Sequence, residues 1–158
     1  DLAPALVVLG AKIKTTRRLI DAEDFFAVGL HTSTVLDDGE MVVEVQVPQM
    51  NPGTATSFTK FALRKSIDFP LVDCAAAITS ANGVVTEARI CLNAVYGTPY
   101  RVTEAEAAIT GRAIDEATAE QAAEAGMKDA FALLNNSYKI QIARTLVKRA
   151  ILACGPEA

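Results

Sequence analysis

Leu71-Val72-Asp73-Cys74-Ala75-Ala76-Ala77-Ile78-Thr79-Ser80-Ala81-Asn82-Gly83-Val84-Val85-Thr86-Glu87-Ala88-Arg89-Ile90-Cys91-Leu92-Asn93-Ala94-Val95 reads as two strands folded back on each other. Asn-Gly between two apolar runs is a strong hairpin signal, because both residues tolerate the positive φ of a tight turn. Two registers are open to the hairpin. A two-residue turn sets Ile78 against Glu87 and Ala76 against Arg89, mixing apolar and charged groups on one face. A three-residue turn, Ala81-Asn82-Gly83, pairs Val72 with Leu92, Cys74 with Ile90 and Ala76 with Ala88. It leaves Asp73, Ala75, Ala77, Glu87 and Arg89 on the other face. That register separates the faces and is the expected one, with Gly83 at the left-handed position of a bulged turn.

Working upstream, Thr54 to Leu63 is a strand rich in β-branched and aromatic residues. Asn51-Pro52-Gly53 is a turn cluster and the best domain boundary in the chain. Met41 to Val47 alternates as a strand and Pro48 ends it. Ala27 to Gly39 shows no period and is expected to be loop. Asp21 to Phe26 suggests a helical turn with acid at its positive end, and Lys12 to Arg17 a short strand. Asp1 to Gly10 reads as a helix capped by Asp1, with Leu2, Leu6 and Leu9 on one face and Gly10 as the stop.

Downstream the chain turns helical. Thr103-Glu104-Ala105-Glu106 has the form of a capping box opening a helix that ends at Gly111. Thr118-Ala119-Glu120-Gln121 repeats it before a helix through Leu134, and Ser137 caps a last helix to about Cys154. In that last helix Ile140, Ala143, Val147 and Ala150 form the apolar stripe, with Lys139, Arg144 and Lys148 facing water. Strands first and helices after predict an α+β fold, an antiparallel sheet with helices on one face. Residues 1–50 are expected to form one unit and residues 54–158 another.

Composition agrees with a packed domain. The 158 residues are 51% hydrophobic and 22% charged, with 28 alanines and no tryptophan, so the core is built from small side chains. A net charge of -4 argues against a nucleic-acid partner. No apolar run is long enough to span a bilayer, so no membrane role is expected. Three widely spaced cysteines and the single His31 supply no metal-ligand spacing and no disulfide framework. A reducing cytoplasm is the expected setting. No GxSxG, HExxH, Walker or GxGxxG motif names an enzyme.

Two places have the chemistry to bind something. Lys60, Arg64 and Lys65 put three cations at a strand end, able to hold a phosphate, a flavin edge or a carboxylate; the plainer alternative is an edge strand protected by charge. The Asp1 carboxylate is suited to a ligand hydroxyl or, more simply, to capping its helix. His31 sits in a polar loop with no partner in view, Cys74 and Cys91 fall in strands as small core residues, and Tyr138 opens the last helix as a packing residue.

The run Thr59-Lys60-Phe61-Ala62-Leu63-Arg64-Lys65-Ser66-Ile67-Asp68-Phe69-Pro70-Leu71-Val72, followed by an Ala-rich strand, resembles the medium, FAD-binding subunit of molybdenum hydroxylases, the xanthine dehydrogenase and aerobic carbon monoxide dehydrogenase relatives. So do Ala94 to Arg101, Glu104-Ala105-Glu106, Thr110-Gly111-Arg112, and the segment Asn136-Ser137-Tyr138-Lys139, where Lys139 replaces the family's usual Arg. Asp1 to Leu6, Gly10-Ala11 and Asp24-Phe25-Phe26 resemble the tail of the FAD-binding domain upstream.

The resemblance implies a carbon monoxide dehydrogenase flavoprotein C-terminal domain, a sheet on about three helices, over residues 54–158. Residues 1–50 would be the C-terminal part of the FAD-binding domain. It implies that Asp1, Val42 and Lys60 line the flavin site, with Lys60 near the flavin's polar edge. It also implies partners: an iron–sulfur small subunit with [2Fe-2S] clusters, a molybdopterin large subunit, and NAD or another acceptor. The family's Gly-rich pyrophosphate loops lie upstream of Asp1, so the chain is expected to be a fragment whose upstream half supplies most FAD anchoring. The alternative is an assembly module that docks the other subunits and binds no flavin alone.

Overall fold

In the computed structural model of the chain, which describes residues 1–65 and 67–156, Asn82-Gly83 joins strands β5 (Val72–Ala81) and β6 (Val84–Asn93). Ser66 of the family-like run, Glu157 and Ala158 lie outside the described residues. The turn corrects the register expected above. Asn82 (φ 53°) and Gly83 (φ 78°) are both left-handed, so a two-residue turn closes on Ala81↔Val84. A bulge follows at once: Ser80↔Val85 is succeeded by Thr79↔Glu87. Thr86 is the extra residue, and its hydroxyl donates to the Thr79 carbonyl at 3.1 Å. Beyond it Cys74 faces Leu92, Ala76 faces Ile90 and Ile78 faces Ala88. The two faces carry the residues expected, with different partners. One bulge does what a longer turn was expected to do, moving Ile78 off Glu87.

Strand β4 (Thr54–Phe61) pairs with β5, and β7 (Tyr100–Arg101) with β6, giving an antiparallel sheet ordered β4-β5-β6-β7. One face carries Val72, Cys74, Ala76, Ile78, Ile90 and Leu92, all buried. Helices α3 (Thr103–Ile109), α4 (Glu116–Gly126) and α5 (Tyr138–Leu152) cover it. The covering residues are mainly alanines, Ala105, Ala119, Ala122, Ala123, Ala143 and Ala150. Small side chains let the helices approach closely and keep packing dense without aromatics.

The helix starts differ from expectation. Asp115, not Thr118, caps α4, its carboxylate accepting from Thr118 N at 2.7 Å, and α4 ends at Gly126 rather than Leu134. Thr118 is buried inside it. Neither Thr103 nor Ser137 makes a side-chain cap. Glu106 does not reach back to close a box. It accepts from Ile90 N at 2.8 Å and from both Arg101 Nε and Nη2, at 2.7 and 2.6 Å. Arg144 and Lys148 do not simply face water: Arg144 binds Glu120 and Glu124, and Lys148 binds Glu116 and Glu120, tying α5 to α4.

The opposite sheet face presents Ala75, Ala77 and Cys91 to Val7 and Val8 of α1 (Leu2–Val8). The same cluster takes in Ala11, Ile13, Ala22 and Phe25. These belong to the N-terminal segment, where β1 (Lys12–Thr15) lies between β2 (Leu19–Asp21) and β3 (Val42–Gln46), with α2 (Ala22–Phe25) after β2. Strand β2 was not expected; its three residues are too few to show a period. Gly10 (φ 63°) ends α1, and a Cβ there would collide with the Arg89 guanidinium.

Glu40 pins this second sheet. Its buried carboxylate accepts from Thr15 Oγ1 (2.6 Å), Arg18 Nε (3.1 Å), Arg18 Nη2 (3.0 Å) and Asp37 N (3.0 Å). The Arg18 guanidinium, with the Asp37 and Thr15 donors, holds the Glu40 carboxyl down at about 2.

Candidate functional site

Paired residues of neighbouring antiparallel strands point to the same face. On the α1 face of the sheet this lines up Lys60 of β4, Asp73 of β5 and Asn93 of β6 as a row across three strands. The neighbouring positions of β5 on that face are Ala75 and Ala77, so the row is a polar end to an apolar surface.

Lys60 lies at the open edge. Its Nζ donates to Asp1 Oδ2 at 2.6 Å and to the Asp68 carbonyl at 2.5 Å. An ammonium has three N–H bonds, so two are taken by the protein. Arg64 binds the Asp68 carboxylate through Nε and Nη2, at 3.2 and 3.0 Å, and holds that carboxyl below its ordinary range. Of the three cations suggested as an anion cluster, Lys60 and Arg64 are thus engaged with Asp1 and Asp68, and Lys65 is exposed. Asp1 stands at the start of α1 but caps nothing; its side chain goes to Lys60 instead. Val42 opens β3, opposite Thr15, on the other sheet and 43% exposed. The structure therefore joins Asp1 to Lys60 and sets Val42 on a separate element.

Asp73 was missed as a site residue. It is fully buried; Oδ2 accepts from Asn93 Nδ2 at 3.3 Å, and Oδ1 has no partner among the described residues. Burial pushes its carboxyl up, while the Asn93 amide, the chain's amino group and Lys60 pull it down. The signal was available: an aspartate in the middle of an unbroken Val/Cys/Ala/Ile run demands a partner. At the far end of the row Lys139 Nζ donates to the Ala94 carbonyl at 2.9 Å, where the chain turns at φ 62°. The family-like Ser137-Tyr138-Lys139 segment thus ties α5 to the end of β6.

The other candidates are quiet. His31 is exposed and Tyr138 half exposed. Cys74 and Cys91 are buried thiols pushed up by burial, Cys91 to about 12, which makes them unreactive. A cleft of about 590 Å³ lies between the N-terminal segment and β6. Its cations are already paired, Lys12 with Asp21, Arg89 with Glu87 and Arg101 with Glu23. Among the described residues no group of three or more His, Cys, Asp or Glu is placed to hold a metal. No described helix is long and apolar enough to cross a membrane.

This architecture is shared with known proteins. The carbon monoxide dehydrogenase of Hydrogenophaga pseudoflava, in a form lacking the Mo-pyranopterin moiety, superimposes with a TM-score of 0.87 at 29% identity, over 98% of this chain and 55% of that one. Quinoline 2-oxidoreductase from Pseudomonas putida 86 gives 0.81 at 27% identity, over 98% of this chain and 55% of that one. In sequence, the medium chain of the Hydrogenophaga enzyme is 30% identical over 141 residues, 87% of this chain and 48% of that protein. The nicotine 6-hydroxylase medium subunit of Paenarthrobacter nicotinovorans is 29% identical over 143 residues, 88% of this chain and 49% of that protein. The chain spans about half the length of these relatives. Residues 57–154 match the CO dehydrogenase flavoprotein C-terminal domain, and the chain belongs to that family.

Proposed function

We propose that this chain forms one wall of the FAD site in an electron-transfer subunit of a molybdopterin-dependent hydroxylase. In this reading residues 54–158 are the flavoprotein C-terminal domain and residues 1–50 the end of the FAD-binding domain. Electrons pass from [2Fe-2S] clusters in a small subunit, fed by a molybdopterin large subunit, through FAD to NAD or another acceptor, in the cytoplasm. Bound FAD supplies the electron exchange; the chain's own residues supply electrostatics and orientation.

One observation carries the reading: the Lys60 ammonium is anchored at the sheet edge by Asp1 and the Asp68 carbonyl, with one N–H left over. The donor set fits a flavin's polar edge. A fixed cation stabilises negative charge there without reorganising, and Asp1 is an acceptor for a ligand hydroxyl. Val42 would offer an aliphatic contact from β3. Lys60→Ala in the flavin-loaded complex tests this: the flavin midpoint potential is expected to fall, with the subunits still associated. An unchanged potential would sink the placement of flavin at Lys60. The assembly-module alternative draws support from Leu63, Ile67 and Phe69 beside this site, 80%, 102% and 90% exposed. Loss of subunit docking in Lys60→Ala, with potential and flavin content unchanged, would favour it.

A further inference from the structure

The row Lys60–Asp73–Asn93 has a feature that flavin contact does not require. Asp73 is on the middle strand of the three, fully buried, and among the described residues it has a single donor at 3.3 Å and one carboxyl oxygen without a partner. The next two positions of β5 on that face are Ala75 and Ala77, and an alanine at 73 would continue them. A buried carboxylate oxygen with no donor is costly. The Asn93 amide, the chain's amino group and the Lys60 ammonium one strand away offset it.

The charged and titratable groups facing Asp73 are few. From β4 there is Lys60, and from β6 the neutral Asn93 and the Cys91 thiol. From the start of α1 come the amino group and carboxylate of Asp1, and from the β4–β5 loop Asp68, already bound to Arg64. Of these, Lys60 is the side-chain cation available to Asp73. Lys60 also faces the open edge, where an anion would draw on the same charge.

We propose that Asp73 is a positioning residue acting through Lys60: a proton from solvent binds Asp73 Oδ1 when an anion at the sheet edge takes up the Lys60 charge, and leaves when that charge is free. An O–H bond forms and nothing is oxidised or reduced. That the anion is a flavin rests on the function proposed above; the coupling between the two side chains does not.

The test is infrared spectroscopy of the flavin-loaded complex as a function of pH, with the Asp73 carboxylic acid band identified by its loss in Asp73→Asn. In Lys60→Met the band should persist to higher pH by about one unit or more, the effect of removing a nearby opposite charge. Lys60→Arg, which keeps the charge, should leave the titration in place, and Lys60→Gln serves if Lys60→Met does not fold. Reducing the bound flavin with dithionite should make the band grow in the wild type and not in Asp73→Asn. A titration in the neutral Lys60 variants identical to wild type would overturn the proposal. A shifted titration with no change on reduction would support the coupling and overturn the placement of flavin at Lys60.

Discussion

Glu40 and Asp73 are both buried carboxyl groups, and their surroundings are opposite. Glu40 has four hydrogen bonds on its two oxygens, one of them backbone and two from a guanidinium. Among the described residues Asp73 has one, from a neutral amide, and an oxygen with none. Glu106 falls with Glu40: Ile90 N and the Arg101 fork saturate it. A carboxylate kept for structure is surrounded by donors, since any shortfall would cost stability. The difference marks the Glu40 and Glu106 networks as structural joints and the Lys60–Asp73 row as a place where stability is given up.

The largest effect is expected from removing a partner of a saturated carboxylate. Arg101 links β7 to α3 through Glu106 and to α2 through Glu23 at 3.0 Å. Arg101→Ala leaves Glu106 buried with one backbone donor. The expected loss is about 3 kcal/mol in chemical denaturation, the cost of stranding a buried charge. A loss under about 1 kcal/mol would mean that the pair behaves like a surface ion pair, and Glu106 would not belong with the structural joints.

Glu40 makes stability depend on pH. Its carboxyl sits at about 2 in the folded protein against an ordinary 4.5. The unfolded chain then binds the proton more readily, so stability rises with pH. The contribution is fully present above the ordinary value and is lost as pH falls from there toward 2. Melting temperatures of Glu40→Gln, followed across that acid range, should show less pH dependence than those of the wild type. Parallel curves would mean that Glu40 is not held as the geometry indicates.

How far the sequence carries depends on the kind of signal. The α+β order, the three helices on one sheet face and the membership of each face of β5 were legible, because strand alternation and helical spacing depend on many residues at once. The register of the hairpin was not. It turns on Thr86 alone, an extra residue in a bulge, which shifts the partners beyond it by two and turns Val85 into the helix-covered core, while residues 87–92 keep the faces expected of them. Helix starts failed similarly: Asp115 and Thr118 both suit a cap, and the difference is decided by which one the core buries. At the site, family-like residues drew attention to Asp1 and Lys60, and the structure brings them together. Asp73 went unremarked because it was read as one more position in an alternating strand. Its significance lies in what is missing around it, and a sequence does not list absent donors.

The smallest expected effect is also the one that decides whether Asp73 differs in kind. Its carboxyl is pushed up by burial, the reverse of Glu40. The folded protein therefore binds the proton more readily than the unfolded chain, and stability falls as pH rises. The contribution is fully present below the ordinary value of 3.8 and is lost as pH climbs through the raised one. Asp73→Ala removes that dependence and extends the alanine surface of residues 75 and 77. At neutral pH the variant should match or exceed the wild type by up to about 1 kcal/mol, the scale of an unsatisfied buried polar group. The advantage should shrink as pH falls below the ordinary value of 3.8, where the wild-type carboxyl is protonated in both states. A variant destabilised as severely as Arg101→Ala would place Asp73 among the structural joints. A variant equally stable or more so would mean that the aspartate is kept at some expense to the fold, for the charge at Lys60.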